Sequence, residues 1–160
     1  MEAVTLIDLL RRAGIEVVTA GLDQHPVVAS RGVRLLPDTT LDQVQDQDFD
    51  MMVLPGGLPG SDNLDQDPRI HRLLQRLAAS GRYTAAICAA PKVLAHAGLL
   101  ADKSATSYPG VLDQPVVIDG KVITSRGPGT AMDFGLTLIE QLLGKAKRDS
   151  VEAALVRPAR

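Results

Sequence analysis

The chain has 160 residues, 45% of them apolar and 22% charged, and a net charge of −2. That length suits one domain with a sizeable core, and the charge balance offers no basic surface for nucleic acid or an anionic membrane. No apolar run approaches the roughly 20 residues of a membrane span, and the start, MEAVTLIDLLRRAG, lacks a basic region and a cleavage site.

A single cysteine, Cys88, excludes an internal disulfide and fits a reducing, cytoplasmic setting. Two Phe, two Tyr and no Trp argue against stacking on single-stranded nucleic acid. No linker or internal repeat divides the chain, so 1–160 is read as one domain.

Residues 3–13 carry apolar side chains at helical spacing, with Gly14 as the stop. The β-branched run 15–21 predicts a strand, and 32–36 predicts another, ended by Pro37. MMVLPGG (51–57) predicts a buried strand running into a glycine turn. Asp67 followed by Pro68 marks a helix start. Ile70, Leu73, Leu74 and Leu77 form its apolar face, and Gly81 ends it.

YTAAI (83–87) is small and uncharged, as a central parallel strand requires. A helix over about 91–97 follows Cys88. Residues 116–125 predict a hairpin turning at Asp119-Gly120. Thr130 and Asp133 have the spacing of a capping box before the stripe Phe134, Leu138, Ile139, Leu142 and Leu143. A last helix is expected near 147–155. Alternating strands and helices predict an α/β sandwich around a mostly parallel sheet, with any ligand at the carboxyl ends of its strands.

Two loops at such ends carry unusual chemistry: Pro55-Gly56-Gly57, and Cys88-Ala89-Ala90-Pro91. A cysteine at a strand-to-helix turn is placed like the serine of a hydrolase elbow, and a helix N-terminus lowers a thiol pKa. The N–H of Ala89 and one from Gly56-Gly57 could form an oxyanion hole. A lone cysteine also serves as buried filler, and position alone leaves both readings open. The loop 125–130 could hold an anion, but its glycines suit loop geometry better. His25, His71 and His96 read as surface or packing residues. The His, Cys, Asp and Glu residues show no metal-ligand spacing, so no metal is expected.

The stretches EAVTLIDLLRRAGIEV, ASRGV, MVLPGG, AAICAAP and TSRGPGTAMDFGL cover nearly the whole chain. Together they resemble the DJ-one branch of the ThiJ/PfpI superfamily. The resemblance implies a flavodoxin-like three-layer sandwich, a homodimer and no cofactor. It implies a strained elbow at Cys88 and a protonated glutamate, Glu2 here, hydrogen-bonded to the thiolate. Arg12 and Arg31 match arginines near the dimer interface and site, and Pro128 matches a site-lining position.

The implied activities are glyoxalase chemistry on methylglyoxal and glyoxal and deglycase action on early glycation adducts. Oxidation sensing through Cys88 and chaperone action are the alternative, and an inactive, shortened relative is a second one. Ala89 stands where the peptidase branch has histidine, which argues against a Cys-His protease. Tyr108 stands where some relatives have histidine, with a substrate contact or a packing role open to it. The chain also begins where the family's first helix begins, so that family's first, central strand is expected to be absent.

Overall fold

The computed structural model describes residues 1–109 and 114–158. Four strands form the main sheet: β5 (Met51–Leu54), β6 (Tyr83–Ile87), β7 (Val116–Asp119) and β8 (Val122–Ser125). Their order is β5-β6-β8-β7. β5, β6 and β8 are parallel, with Met51 opposite Tyr83 and Ile87 opposite Ser125. β7 closes the edge as an antiparallel hairpin with β8, turning through Gly120 at φ 61°.

β6 explains the layering. Its side chains alternate between the two faces of the sheet. Ala85 and Ile87 meet Ile123 under Leu6, Leu9, Phe134, Leu138 and Ile139. These belong to α1 (Glu2–Arg12) and α6 (Ala131–Leu143), which pack closely where Gly135 admits Leu9. Ala86 faces the other way, with Leu54 and Val122, onto α4 (Pro68–Ala79) and α5 (Pro91–His96). A strand covered on both faces has no use for charge, which is why YTAAI is so small and apolar.

Shorter elements fill the connections. β1 (Ala20–Gly21) pairs in parallel with β4 (Thr39–Thr40), and β2 (Val27–Val28) pairs antiparallel with β3 (Arg34–Leu35). α2 (Leu41–Val44), α3 (Gly60–Gln66) and α7 (Lys145–Ala154) complete the helices. Asp67 caps α4 by accepting the Arg69 backbone N–H at 2.9 Å. Among the described residues, no helix is long and apolar enough to cross a membrane.

Two expectations fail locally. The strand expected over 15–21 is reduced to Ala20–Gly21; among the described residues, no strand lies beside 15–19 for them to pair with. The capping box at Thr130 does not form. Its hydroxyl donates to Gly127 O at 2.9 Å, and Asp133 pairs instead with Arg157 at 2.9 Å.

Candidate active site

The carboxyl ends of β5, β6 and β8 converge on Cys88. β5 runs into Gly56 and Gly57, β6 into Cys88 itself, and β8 ends at Ser125. Cys88 has φ 62°, a left-handed conformation that costs an L-residue roughly 1–2 kcal/mol. Both its backbone groups are pinned in compensation. Its N–H donates to Ser125 O at 2.9 Å, and its carbonyl accepts the Tyr108 N–H at 2.8 Å. The turn thereby holds the half-buried thiol at the top of the sheet.

Glu2 opens α1 and is only 8% exposed. Its Oε2 accepts the Gly56 N–H at 2.9 Å, while Oε1 is buried with no hydrogen-bond partner among the described residues. Gly56 is where the two functional side chains meet. A Cβ there would lie 2.6 Å from Cys88 Cβ, 2.7 Å from Glu2 Oε2 and 2.7 Å from Ile87 O. No side chain fits, so only glycine lets the carboxyl and the thiol close on one point.

The thiol pKa moves upward, against the direction expected from a helix N-terminus. Burial is the main cause, followed by the charge of the Glu2 carboxylate and its hydrogen bonding to the thiol. The backbone N–H groups of Ala89 and Gly57 pull the other way and are outweighed. α5 has only six residues and begins three positions after Cys88, so its dipole reaches the sulfur weakly. In the resting pair the proton therefore sits on sulfur when Glu2 is ionised. The amides that favour the thiolate are those of Ala89 and Gly57; the Gly56 N–H is already taken by Glu2.

Residues 1–141 match the DJ-1/PfpI family. The chain belongs to the DJ-1/PfpI family. It is 46% identical to protein dj-1beta of Drosophila melanogaster, over 98% of this chain and 90% of that protein. It is 38% identical to the glutathione-independent glyoxalase DJR-1.2 of Caenorhabditis elegans, over 94% of this chain and 86% of that one. The crystal structure of Drosophila melanogaster DJ-1beta superposes with a TM-score of 0.94 at 45% identity, covering 99% of this chain and 91% of that one. Oxidized Toxoplasma gondii DJ-1 gives the same TM-score at 36% identity, covering 99% and 92%. These likenesses establish the flavodoxin-like α/β sandwich expected from the sequence.

The other predicted DJ-1/PfpI site residues are placed unequally. Pro128 follows Gly127, where a Cβ would stand 4.0 Å from Cys88 Sγ. Tyr108 meets the site through its backbone N–H, and the residue is 70% exposed. Arg12 lies at the opposite end of α1 from Glu2, about 15 Å away at 1.5 Å per residue, paired with Asp8 at 2.7 Å. Arg31 is exposed in the turn between β2 and β3. Within one chain, neither arginine joins the site.

The loop 125–130 is bound to itself. Ser125 Oγ and Thr130 Oγ1 lie 2.7 Å apart, and Ser125 Oγ donates to Pro115 O at 2.8 Å. Sequence reasoning missed the Ser125 carbonyl as the Cys88 anchor, because backbone acceptors leave no trace in residue identity.

Proposed function

We propose that the protein is a cofactor-free glyoxalase that converts 2-oxoaldehydes such as methylglyoxal to 2-hydroxy acids, with deglycase action on early glycation adducts by the same chemistry. The observation that carries this reading is the closure of the Glu2 carboxyl and the Cys88 thiol around Gly56. A buried carboxylate beside a thiol is a general base beside its nucleophile.

Glu2 takes the thiol proton as sulfur adds to the aldehyde carbon. The carbonyl π pair moves to oxygen, where the Ala89 and Gly57 N–H groups can receive the charge, and a proton then completes the hemithioacetal. Glu2 next removes the C1 hydrogen as a proton, and the C2 carbonyl oxygen takes up the electron pair, giving an enediol. Reprotonation at C2 leaves a thioester of the 2-hydroxy acid. Water cleaves it, returning the thiol. The sum is aldehyde plus water to hydroxy acid, with no net oxidation.

The name borne by the Caenorhabditis elegans relative supports the substrate class. Incubation with methylglyoxal and enzymatic assay of lactate tests the reading. Wild type should form lactate, Cys88→Ala should lose it to background, and Glu2→Gln should lose about 10²- to 10⁴-fold. Equal rates for Cys88→Ala and wild type would overturn it.

The half-buried, reachable thiol also supports a second reading, oxidation sensing. It requires Cys88 to become sulfinate under mild peroxide before the methionines oxidise, which mass spectrometry reads directly. The homodimer and the interface roles of Arg12 and Arg31 belong to the same family reading, and sedimentation of wild type against Arg31→Ala tests them.

A further inference from the structure

A cavity of about 360 Å³ lies at the end of the sheet away from Cys88. It sits where β6 and β8 begin, beside the last turn of α4 and the loop that leaves α5. Thr84, which lines it, stands four residues before Cys88 on β6. At 3.3 Å per residue that is about 13 Å from the thiol, so the cavity is separate from the site already described.

Its walls are apolar, with Leu99 and Val122 among them, and its charges are of one sign. Arg82, Lys103 and Lys121 line it, and no carboxylate does among the described residues. The three cations differ in what already holds them. Arg82 pairs with Asp50. Lys103 Nζ lies 3.5 Å from Asp119 Oδ1, and Asp119 accepts the Ser104 N–H at 2.8 Å with its other oxygen. Lys121 has no ion pair among the described residues; its Nζ stands 3.8 Å from the centre of the Tyr83 ring. A ring face attracts an ammonium but carries no net charge. The cavity thus holds one cation without a counter-charge.

Basic residues near helix C-termini often do no more than answer exposed carbonyls. Here backbone donors have taken those carbonyls. Arg82 N–H donates to Leu77 O at 2.9 Å and Gly81 N–H to Ala78 O at 3.0 Å. Leu99 N–H donates to Leu94 O and Gly98 N–H to Ala95 O, both at 2.9 Å. A second observation points to a ligand. Thr84 is 1% exposed. Its N–H donates to Lys121 O at 2.9 Å, and its hydroxyl has no hydrogen bond among the described residues. A buried hydroxyl without a partner is unfavourable, and an acceptor in the cavity would relieve it.

We propose that this cavity binds a small monocarboxylate with a short apolar stem. Lys121 supplies the uncompensated charge, the Thr84 hydroxyl supplies a donor, and Leu99 and Val122 receive the stem. A dianion brings a second charge for which no unpaired cation remains, and a neutral amide forgoes the first. The site does not depend on the Cys88 chemistry.

The probe is butyrate, followed through the amide NMR shifts of the labelled protein. Saturable shifts are expected at Thr84, Leu99, Lys103 and Lys121, and none at Gly56, Gly57 or Ala89. Butyramide should bind about tenfold more weakly, and inorganic phosphate no more tightly than butyrate. Lys121→Gln should weaken butyrate by about fivefold. Thr84→Val should weaken it by about three- to tenfold. The ligand-free melting temperature of Thr84→Val should be unchanged or higher, because the lost hydroxyl bonded to nothing. That pair of readings separates a ligand role from a packing one.

Shifts that fail to saturate or scatter over the surface would overturn the proposal. So would butyramide binding as tightly as butyrate, phosphate binding more tightly, or unchanged affinity in either variant. Cys88→Ala should bind butyrate as wild type does; loss of binding there would place the anion at the thiol instead. Lactate formation is read separately, so failure of one site does not imply failure of the other.

Discussion

Gly56 is the residue on which the site depends most, and its role differs from that of a turn former. Its missing side chain is the space shared by Cys88, Glu2 and the Ile87 carbonyl. Gly56→Ala puts a methyl within 2.7 Å of all three, and two of those neighbours are fixed by backbone. Overpacking of this kind costs about 1–3 kcal/mol. The expected result is a melting temperature lower by about 2–10 °C, with lactate formation lost even well below the transition. A variant that melts lower yet turns over normally would show that Glu2 and Cys88 need not meet there. Glu2→Gln tests the same contact electrostatically. It removes the carboxylate charge that helps hold the thiol above its ordinary 9.0, while burial remains. Iodoacetamide alkylation followed against pH should show its midpoint above 9 in wild type and lower in Glu2→Gln; an unchanged midpoint would sever the pair. Of these residues, Cys88 was legible from its solitude and its place between a strand and a helix. Glu2 was legible only through resemblance, because a carboxylate at the second position is ordinarily solvated. The crowding at Gly56 was not legible at all, since sequence shows a glycine's freedom and hides what its neighbours occupy.

At the scale of elements, helices were read well where an apolar stripe and a stop signal coincide. α1, α4 and α6 follow their leucines closely, because burying one face of a helix fixes both its phase and its ends. Strands were read well where a partner strand exists. YTAAI is a strand because β5 and β8 flank it, whereas 15–19 is richer in β-branched residues and finds no ladder among the described residues. Strand formation is a property of pairs, so composition predicts the tendency and the neighbour decides. α4 offers a sharper test of local signals. The Asp67 carboxylate caps it and also pairs with the Arg69 guanidinium, and that side-chain bond is the leading cause holding Asp67 below the usual 3.8. A lowered folded-state pKa stabilises the native state above the unfolded value and loses that contribution as pH falls through the folded value. Wild type should therefore shed stability below pH 3.8, where Asp67→Ala shows a flatter curve. At pH 7 the variant should be weaker by about 0.5–2 kcal/mol in urea unfolding. Parallel curves for the two proteins down to pH 2 would remove Asp67 from the acid transition.

Across the whole molecule, stability should grade away from β6. Its inner residues are sealed under two helical layers, one cluster on each face, and β8 shares that shelter. Opening either strand requires separating α1 and α6 from the sheet, or α4 and α5, which amounts to unfolding the protein. β5 is covered by the same layers but holds one strand neighbour among the described residues, and its first three residues are half-buried. Among the described residues, 16–18 have neither a ladder nor a sealed face. Local opening there breaks few contacts, and such segments exchange without global unfolding. Native-state hydrogen exchange should thus rank the amides in three tiers. Those within 84–87 and Val122–Ser125 should exchange slowest, with a strong dependence on denaturant. Those of Met51–Leu54 that bond to β6 should come next, and those of 16–18 fastest, nearly independent of denaturant. The active site straddles this gradient. Cys88 is anchored through its N–H to the end of β8, in the most protected tier, while Glu2 bonds to Gly56 just past the end of β5. The Gly56 amide therefore reports which half of the site loosens first. If it exchanges with β8, the Glu2 contact is as firm as the Cys88 elbow. If it exchanges faster, at the rate of β5, then loosening of the β5 edge parts the base from the nucleophile while the elbow stays folded. The pairing of β5 on one side among the described residues requires the second outcome, and slow exchange of Gly56 in step with β8 would contradict it.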